Sequence, residues 1–520
     1  MRYLLFITFL YILCPVTTYA QIILPSPNHM EIKEGKLALG EKAIMIYASD
    51  TTAFYLHLFQ TEVLRNTPVC WDTEKAKADI CWVVDSTLPS DGYRIHIEPK
   101  QLVVTASDKG GFVYAVQTLR QWVAGTTGNI TFTCGDTSDF PRVQWRCFLL
   151  DSGRQYQRTS VIKKYIDMAS LLKINYFHWH LTEGLGWRIE IKQYPRLAQI
   201  GGSVGKGEEQ AGFYTQDEIK ELVQYAANRN VTIVPEIDMP GHAEAALSAY
   251  PELGCFGLPV EIPQHGFTQN IFCAGKDNTI RFLKNVLDEV CALFPSLYIH
   301  LGGDEAPKGN WDKCADCRKR IAAFGLKDSH DLQLWFSAEM AEYLKTKGRK
   351  AIFWGDVVYQ DGYPLPENTV IQWWNFRGHG DLALRNAIKH KYPVICSTNY
   401  YTYLNFPLTP WRGYGKERTF DLKDICLNNP SDKVLKENIP LVLGMSCALW
   451  TDDGVTERMI DRRLFPRIIA LAEQMWNQEG ITDFNQFQEK ILLRKEWFER
   501  LGFEFGPALK EEVNQTYKWD

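Results

Sequence analysis

The 520-residue chain predicts a (β/α)8 barrel preceded by a small α/β domain, and three observations carry that reading. From Trp145 onward, eight short apolar runs alternate with amphipathic stretches, the rhythm of repeated βα units. Nearly every run ends in acidic, aromatic or imidazole residues, as a barrel with its chemistry at one mouth requires. Ahead of them, residues 22–140 hold short alternations that lack such ends, which is the pattern of a packing domain.

Taken in order, Arg2, the apolar run 4–13 and Thr18-Tyr19-Ala20 read as a signal peptide (1–20) with a mature start near Gln21. The run is too short to span a bilayer, and no other long apolar run follows, so no transmembrane segment is expected. The mature chain is therefore expected in the periplasm or outside the cell. Lipid anchoring through Cys14 is the lesser reading, because bulky Leu13 stands where a small residue is wanted. In the domain 21–140, residues 93–97 and 101–106 read as paired strands, and 108–122 as a helix with Phe112, Val116, Leu119 and Val123 on one side. A polar segment, 131–142, separates it from the catalytic domain, 141–520. There the predicted strands are 146–150, 176–180, 232–237, 297–301, 351–354, 370–374, 393–397 and 441–447. Helices are predicted at 159–172, 215–227, 279–293 and 331–347, with closing helices at 462–476 and 483–501.

Composition narrows the function. The net charge is −5 and no basic stripe exists, which excludes nucleic acid as the partner. Sixteen Trp exceed what a core needs and suit the apolar faces of sugars. Thirteen Cys fit an exported chain, and Cys255 with Cys273 is a candidate loop tie. Cys314-Ala315-Asp316-Cys317 resembles half a zinc site, but the sequence offers no second pair or His to complete it. A local disulfide or free thiols is the expectation there, in an irregular loop, with no metal and no cofactor.

The chemistry centres on His300-Leu301-Gly302-Gly303-Asp304-Glu305, where two carboxylates arrive as a strand gives way to a loop. Gly302 and Gly303 allow positive φ and a turn that aims both into one cleft. Carboxylates with His, Trp and Tyr point to glycoside hydrolysis, with Glu305 as the acid. Two alternatives stand beside it. Glu236 is placed to be the nucleophile of a two-carboxylate mechanism, and His178, His180 and His242 have the spacing of a metal-dependent hydrolase.

Several motifs extend the reading: Trp145-Arg146, Asp151-Ser152-Gly153-Arg154, Lys173-Ile174-Asn175, His178-Trp179-His180-Leu181-Thr182, Gly186-Trp187-Arg188, Pro235 to His242, His300 to Glu305, and Phe465-Pro466-Arg467. With them the chain resembles the family 20 glycoside hydrolases, the β-N-acetylhexosaminidases. The resemblance implies an exo-acting enzyme on an oligosaccharide or glycoconjugate with a terminal 2-acetamido sugar, whose own amide oxygen attacks the anomeric carbon. By resemblance, Glu305 is the general acid/base, Asp304 steadies the acetamido nitrogen, and Tyr403 holds its oxygen. His242 couples to the acid, His180 adjoins that network, and His180 and Glu183 are counted with the residues that bind the sugar. Arg146 holds sugar hydroxyls, Trp354, Trp373 and Trp450 wall the pocket, and Glu236 becomes structural. The chain departs from the family at Gln155, Gly184, Asn405 and Asp452. The last two lie where relatives grip O4 and O6, so altered selectivity there, including tolerance of 6-sulfo-GlcNAc, is expected. The same departures leave open an inactive carbohydrate-binding protein.

Overall fold

In a computed structural model, residues 22–506 are described, except 41, 50–53, 204–210, 264–265, 376–380, 407–419 and 453–454. The expected leader 1–20, with Cys14, and most of the loop after Gly202 lie outside these residues.

The N-terminal sheet runs from His29–Leu39 to Asn129–Asp139, and these two long strands pair antiparallel. Strand Tyr93–Glu98 alternates buried and exposed positions, so one face packs and the other meets water. The covering helix Lys109–Trp122 starts where Asp108 accepts from Gly111 N, and nearly all of it is buried. It lies between the sheet and the barrel helix Thr159–Leu171.

The barrel closes through eight parallel strands, Trp145–Asp151, Tyr176–His180, Thr232–Glu236, Tyr298–His300, Lys350–Trp354, Thr369–Trp373, Val394–Cys396 and Val442–Leu449. All eight coincide with the predicted runs to within a residue or two at each end. Alternation explains how one strand serves two layers. In the second strand Phe177 and Trp179 join the outer core against the helices, while His178 and His180 face the axis. The lower interior is plugged by Trp145, Cys147, Val234, Ile352, Val370 and Ile395. Above that plug the inward residues become polar and aromatic, and the site begins there.

Two expectations are corrected. The closing helix 462–476 is two helices, Glu457–Leu464 and Arg467–Trp476, divided at Phe465-Pro466 because proline supplies no N–H to a continuing helix. Cys314 and Cys317 are not in an irregular loop: Cys314 is the N-cap of helix Ala315–Phe324 and Cys317 lies in its first turn.

Candidate active site

The turn after the fourth strand is built as its glycines suggest. Gly302 and Gly303 have φ of 65° and 98°, and a Cβ on Gly302 would stand 1.7 Å from Asp238 Oδ1. Glu305 and His242 themselves hold positive φ, 48° and 49°, a cost that non-glycine residues sustain mainly at functional sites. The turn brings both carboxylates to one imidazole: His242 Nε2 is 3.6 Å from Asp304 Oδ2 and 3.8 Å from Glu305 Oε2.

Behind His242 stands Glu183, whose Oε1 accepts from Nδ1 at 2.7 Å. Its other oxygen meets Arg154 at 3.0 Å and His180 at 3.3 Å. Burial alone would raise the Glu183 carboxyl, but Arg154, His242 and His180 reverse this and hold it well below the usual range. Burial likewise opposes charge on His242, yet Glu183 and Asp304 lift it to about 9. The imidazolium is therefore the resting form at neutral pH. Asp304 is pushed well above the carboxylate range by burial and then by Asp238, with His242 pulling the other way. Its Oδ1 is buried and has no hydrogen-bond partner, a ready acceptor for an incoming N–H. Glu305, by contrast, is exposed.

Aromatic rings from three strand ends form the walls. Trp354 lies 5.7 Å from Trp450, Tyr403 5.8 Å from Trp450, and Trp374 stacks on Tyr403 at 6.2 Å and 7°. Tyr403 reaches this place because its loop bridges to Ala448 of the eighth strand. Burial and then Asp304 raise its phenol well above 10, so it stays protonated and can donate. Beyond the rings, Asn405 Nδ2 donates to Asp452 Oδ1 at 3.4 Å, and the Arg154 guanidinium lies 5.2 Å over the Trp450 ring.

Four expectations for individual residues are corrected. Arg146 is at the opposite end of the barrel, buried between the domains, donating to Asp91 at 2.8 Å and to the carbonyls of Val143 and Lys173. It starts its strand, and the mouth is where strands end; the arginine near the pocket is Arg154, three residues past that strand's last position. Trp373 faces outward into the helix layer and Trp374 faces the pocket, its Nε1 donating to Asp356 at 2.6 Å. With a period of two, a register error of one residue exchanges the faces. His180 and Glu183 have their polar atoms committed to each other, to Glu236, His242 and Arg154, so they support the site from beneath and do not meet a sugar.

Glu236 is fully buried, and both oxygens are occupied, Oε2 by His178 at 2.8 Å and His180 at 2.6 Å, Oε1 by the Trp354 indole at 2.8 Å. A carboxylate saturated beneath the floor is not available as a nucleophile. The same bonds draw His178 and His180 toward Glu236, while His242 turns to Glu183, so the three imidazoles do not converge. Asp356, two residues past Trp354 at a strand end the sequence marks as acidic, accepts from Glu305 N at 3.3 Å and from Trp374 Nε1 at 2.6 Å, a role that sequence reading did not assign it. A Cβ at Gly184 would stand 2.5 Å from Glu244 Oε2, so a side chain there would displace the end of the Glu244 side chain.

One potential ligand set stands apart from the pocket. The half-set Cys314 and Cys317 was expected to lack partners; the fold supplies Cys255 and Cys273, and the four Sγ atoms lie within 4.8 Å of one another. These partners lie 62 and 41 positions upstream of Cys317 and Cys314, a distance that spacing rules do not reach.

Comparison with known proteins agrees with this geometry. Residues 143–479 match the glycosyl hydrolase family 20 catalytic domain, and residues 20–140 match its domain 2. A beta-hexosaminidase of Porphyromonas gingivalis is 36% identical over 426 residues, 78% of this chain, which spans 54% of that relative's length. The crystal structure of a beta-N-acetylhexosaminidase from Bacteroides fragilis is 62% identical with a TM-score of 0.91, covering 96% of this chain and all of that one (100%). A mutant Streptomyces plicatus beta-hexosaminidase in complex with GlcNAc is 25% identical with a TM-score of 0.81, over 94% of this chain and 97% of that one.

Proposed function

The chain belongs to glycosyl hydrolase family 20, and on that premise we propose that it is an exo-acting, retaining β-N-acetylhexosaminidase that uses its substrate's amide as nucleophile. The observation that carries this reading is the meeting of Asp304 and Glu305 at His242 Nε2, at 3.6 and 3.8 Å, above a Glu236 whose oxygens are already taken. With Glu236 committed to His178, His180 and Trp354, the internal nucleophile is the reading that fits.

Each residue has one task. Glu305 gives its proton to the departing glycosidic oxygen while the acetamido oxygen closes on the anomeric carbon. Asp304 Oδ1 accepts the amide N–H; the His242 cation beside it and the positive charge developing on the ring being formed both favour its ionised form against burial and Asp238, and that form supplies the opposing charge. The Tyr403 hydroxyl donates to the amide oxygen and holds it in line. Water then opens the intermediate, and Glu305 takes the proton back, so configuration is retained. The Trp354, Trp374, Trp450 and Tyr403 rings pack the sugar and exclude solvent.

Selectivity at C4 and C6 rests on Asn405 and Asp452, which bond each other at 3.4 Å. An amide there in place of a carboxylate lowers the repulsion of an anionic C6 substituent. The leader at 1–20 supports export, with the enzyme acting outside the cytoplasm on glycans that present a terminal β-linked GlcNAc or GalNAc.

The test is hydrolysis of 4-nitrophenyl β-GlcNAc against the matching β-glucoside, which lacks the amide. Comparable kcat/KM on both would reject amide participation, and a thiazoline mimic of the cyclised intermediate should inhibit strongly. Chromogenic GlcNAc, GalNAc and 6-sulfo-GlcNAc compared side by side test the selectivity. Equal or better rates on plain GlcNAc would reject the altered-pocket reading.

A further inference from the structure

We propose that Cys255, Cys273, Cys314 and Cys317 form a tetrathiolate Zn2+ site that ties the 255–273 loop to the body of the barrel. The geometry is that of a metal site and not of disulfides. A regular tetrahedron with Zn–S bonds of about 2.3 Å has its sulfurs about 3.8 Å apart. The Sγ separations are 3.9 Å for Cys255–Cys317, 3.8 Å for Cys273–Cys314 and 3.6 Å for Cys273–Cys317. A disulfide needs about 2.05 Å and joins sulfurs in pairs, whereas here Cys273 and Cys317 each approach two neighbours, at 3.6 and 3.8 Å and at 3.6 and 3.9 Å. Cys273, Cys314 and Cys317 are buried and Cys255 is partly exposed, which leaves an entry path for the ion.

The surroundings are built to hold this shape. Gly275 permits the loop to press on the Cys-x-x-Cys turn: a Cβ there would stand 2.2 Å from Cys317 N and 2.3 Å from the Asp316 carbonyl carbon. The Trp311 indole donates to Phe272 O at 2.9 Å, and Arg320 donates to Gly275 O at 3.0 Å. Lys276 donates to Gly254 O at 2.6 Å. Zn2+ displaces four thiol protons to solvent and leaves a centre of net charge 2−, which the Lys276 and Arg320 cations on the flanking carbonyls offset. Among the described residues the site shares no side chain with the catalytic network.

Its position gives it a structural purpose. The loop closed by Cys255 and Cys273 carries Phe267, whose ring meets His242 edge-on at 5.3 Å, and Thr268, whose N–H donates to Glu244. Holding Cys255 and Cys273 on one ion helps to fix Phe267 and Thr268 against His242 and Glu244.

The test is metal analysis of the full chain, purified with reductant and without added chelator. About one zinc per chain is expected, falling below about a tenth in Cys273→Ser, as four-thiolate coordination requires. Cys255→Ser, at the partly exposed ligand, guards against a variant that fails to fold. Co2+ exchanged into the wild-type protein should show the visible bands of tetrahedral cobalt with thiolate charge transfer. Disulfides among these four cysteines in non-reducing peptide mapping would overturn the proposal. So would four free thiols that take up neither Zn2+ nor Co2+.

Discussion

Glu183→Gln isolates the charge that sets His242, because the amide keeps the side chain's shape and removes only its negative charge. In the wild-type protein His242 stands at about 9 against an ordinary 6.5. That difference of about 2.5 units is worth about 3.4 kcal/mol in favour of the imidazolium, at 1.36 kcal/mol per unit. Glu183, at 2.7 Å from Nδ1, is the larger of the two carboxylates that raise it, and Asp304 is the second. Its removal should therefore lower the His242 value by about 1–2 units, so that about half to nine-tenths of the ring population is neutral at pH 8. The sign follows from which form works: the cation beside Asp304 favours the Asp304 carboxylate, so losing it costs activity as pH rises. We expect the alkaline limb of kcat/KM on 4-nitrophenyl β-GlcNAc to move down by those about 1–2 units. The loss should be about 2–10-fold at pH 8 and much smaller near pH 6. Stability follows the same linkage. A folded-state value raised from 6.5 to about 9 stabilises fully below pH 6.5 and the stabilisation is lost as pH climbs through 9. Thermal unfolding should show that decline in the wild-type protein and a flatter profile in the variant. An unmoved alkaline limb, or a loss equal at every pH, would refute the assignment of Glu183 as the source of the His242 charge.

The two arginines separate cleanly. Arg146→Ala should lower stability by about 3–5 kcal/mol, the cost of breaking a buried ion pair, with KM little changed, while Arg154→Ala should raise KM and shift the pH profile; a KM effect confined to Arg146→Ala would reverse the placement. Trp374→Ala should cost about 10-fold or more in kcat/KM through the exposed acetamido pocket, whereas Trp373→Ala, a cavity in the outer core, should lower Tm and leave KM alone. Glu305→Gln should lose most activity on substrates with poor leaving groups and least on activated aryl glycosides; near-normal turnover of the former would remove Glu305 from the acid role. Asp304→Asn should slow the cyclisation step even with a good leaving group, so unchanged single-turnover rates would exclude it.

Local information determined a great deal about this protein. The eight strands were legible because each is a short apolar run bounded by turn residues, and period-two alternation is a property of neighbours in sequence. The Gly302-Gly303 turn and the adjacent Asp304 and Glu305 were legible for the same reason: positive φ and a shared cleft are consequences of a few consecutive residues. What failed is what depends on where a strand sits in the sheet. Arg146 and Trp373 have plausible neighbours, but one begins its strand at the wrong end of the barrel and the other faces the wrong layer, and a run of uniformly buried residues such as 145–151 carries no alternation to mark either. Only closure of the barrel determines which end opens to solvent and which face lines the axis.

Tertiary structure alone also decided which partners meet. Glu236 gathers His178 and His180 from one strand and Trp354 from another, and the four cysteines converge from a loop and a helix start that are tens of residues apart. Charge coupling and metal coordination act across a few ångströms of space, and separation along the chain does not predict such distances. The sequence could name the carboxylates that act, but the pKa of His242 and the shape of the cysteine set exist only once the chain has closed on itself.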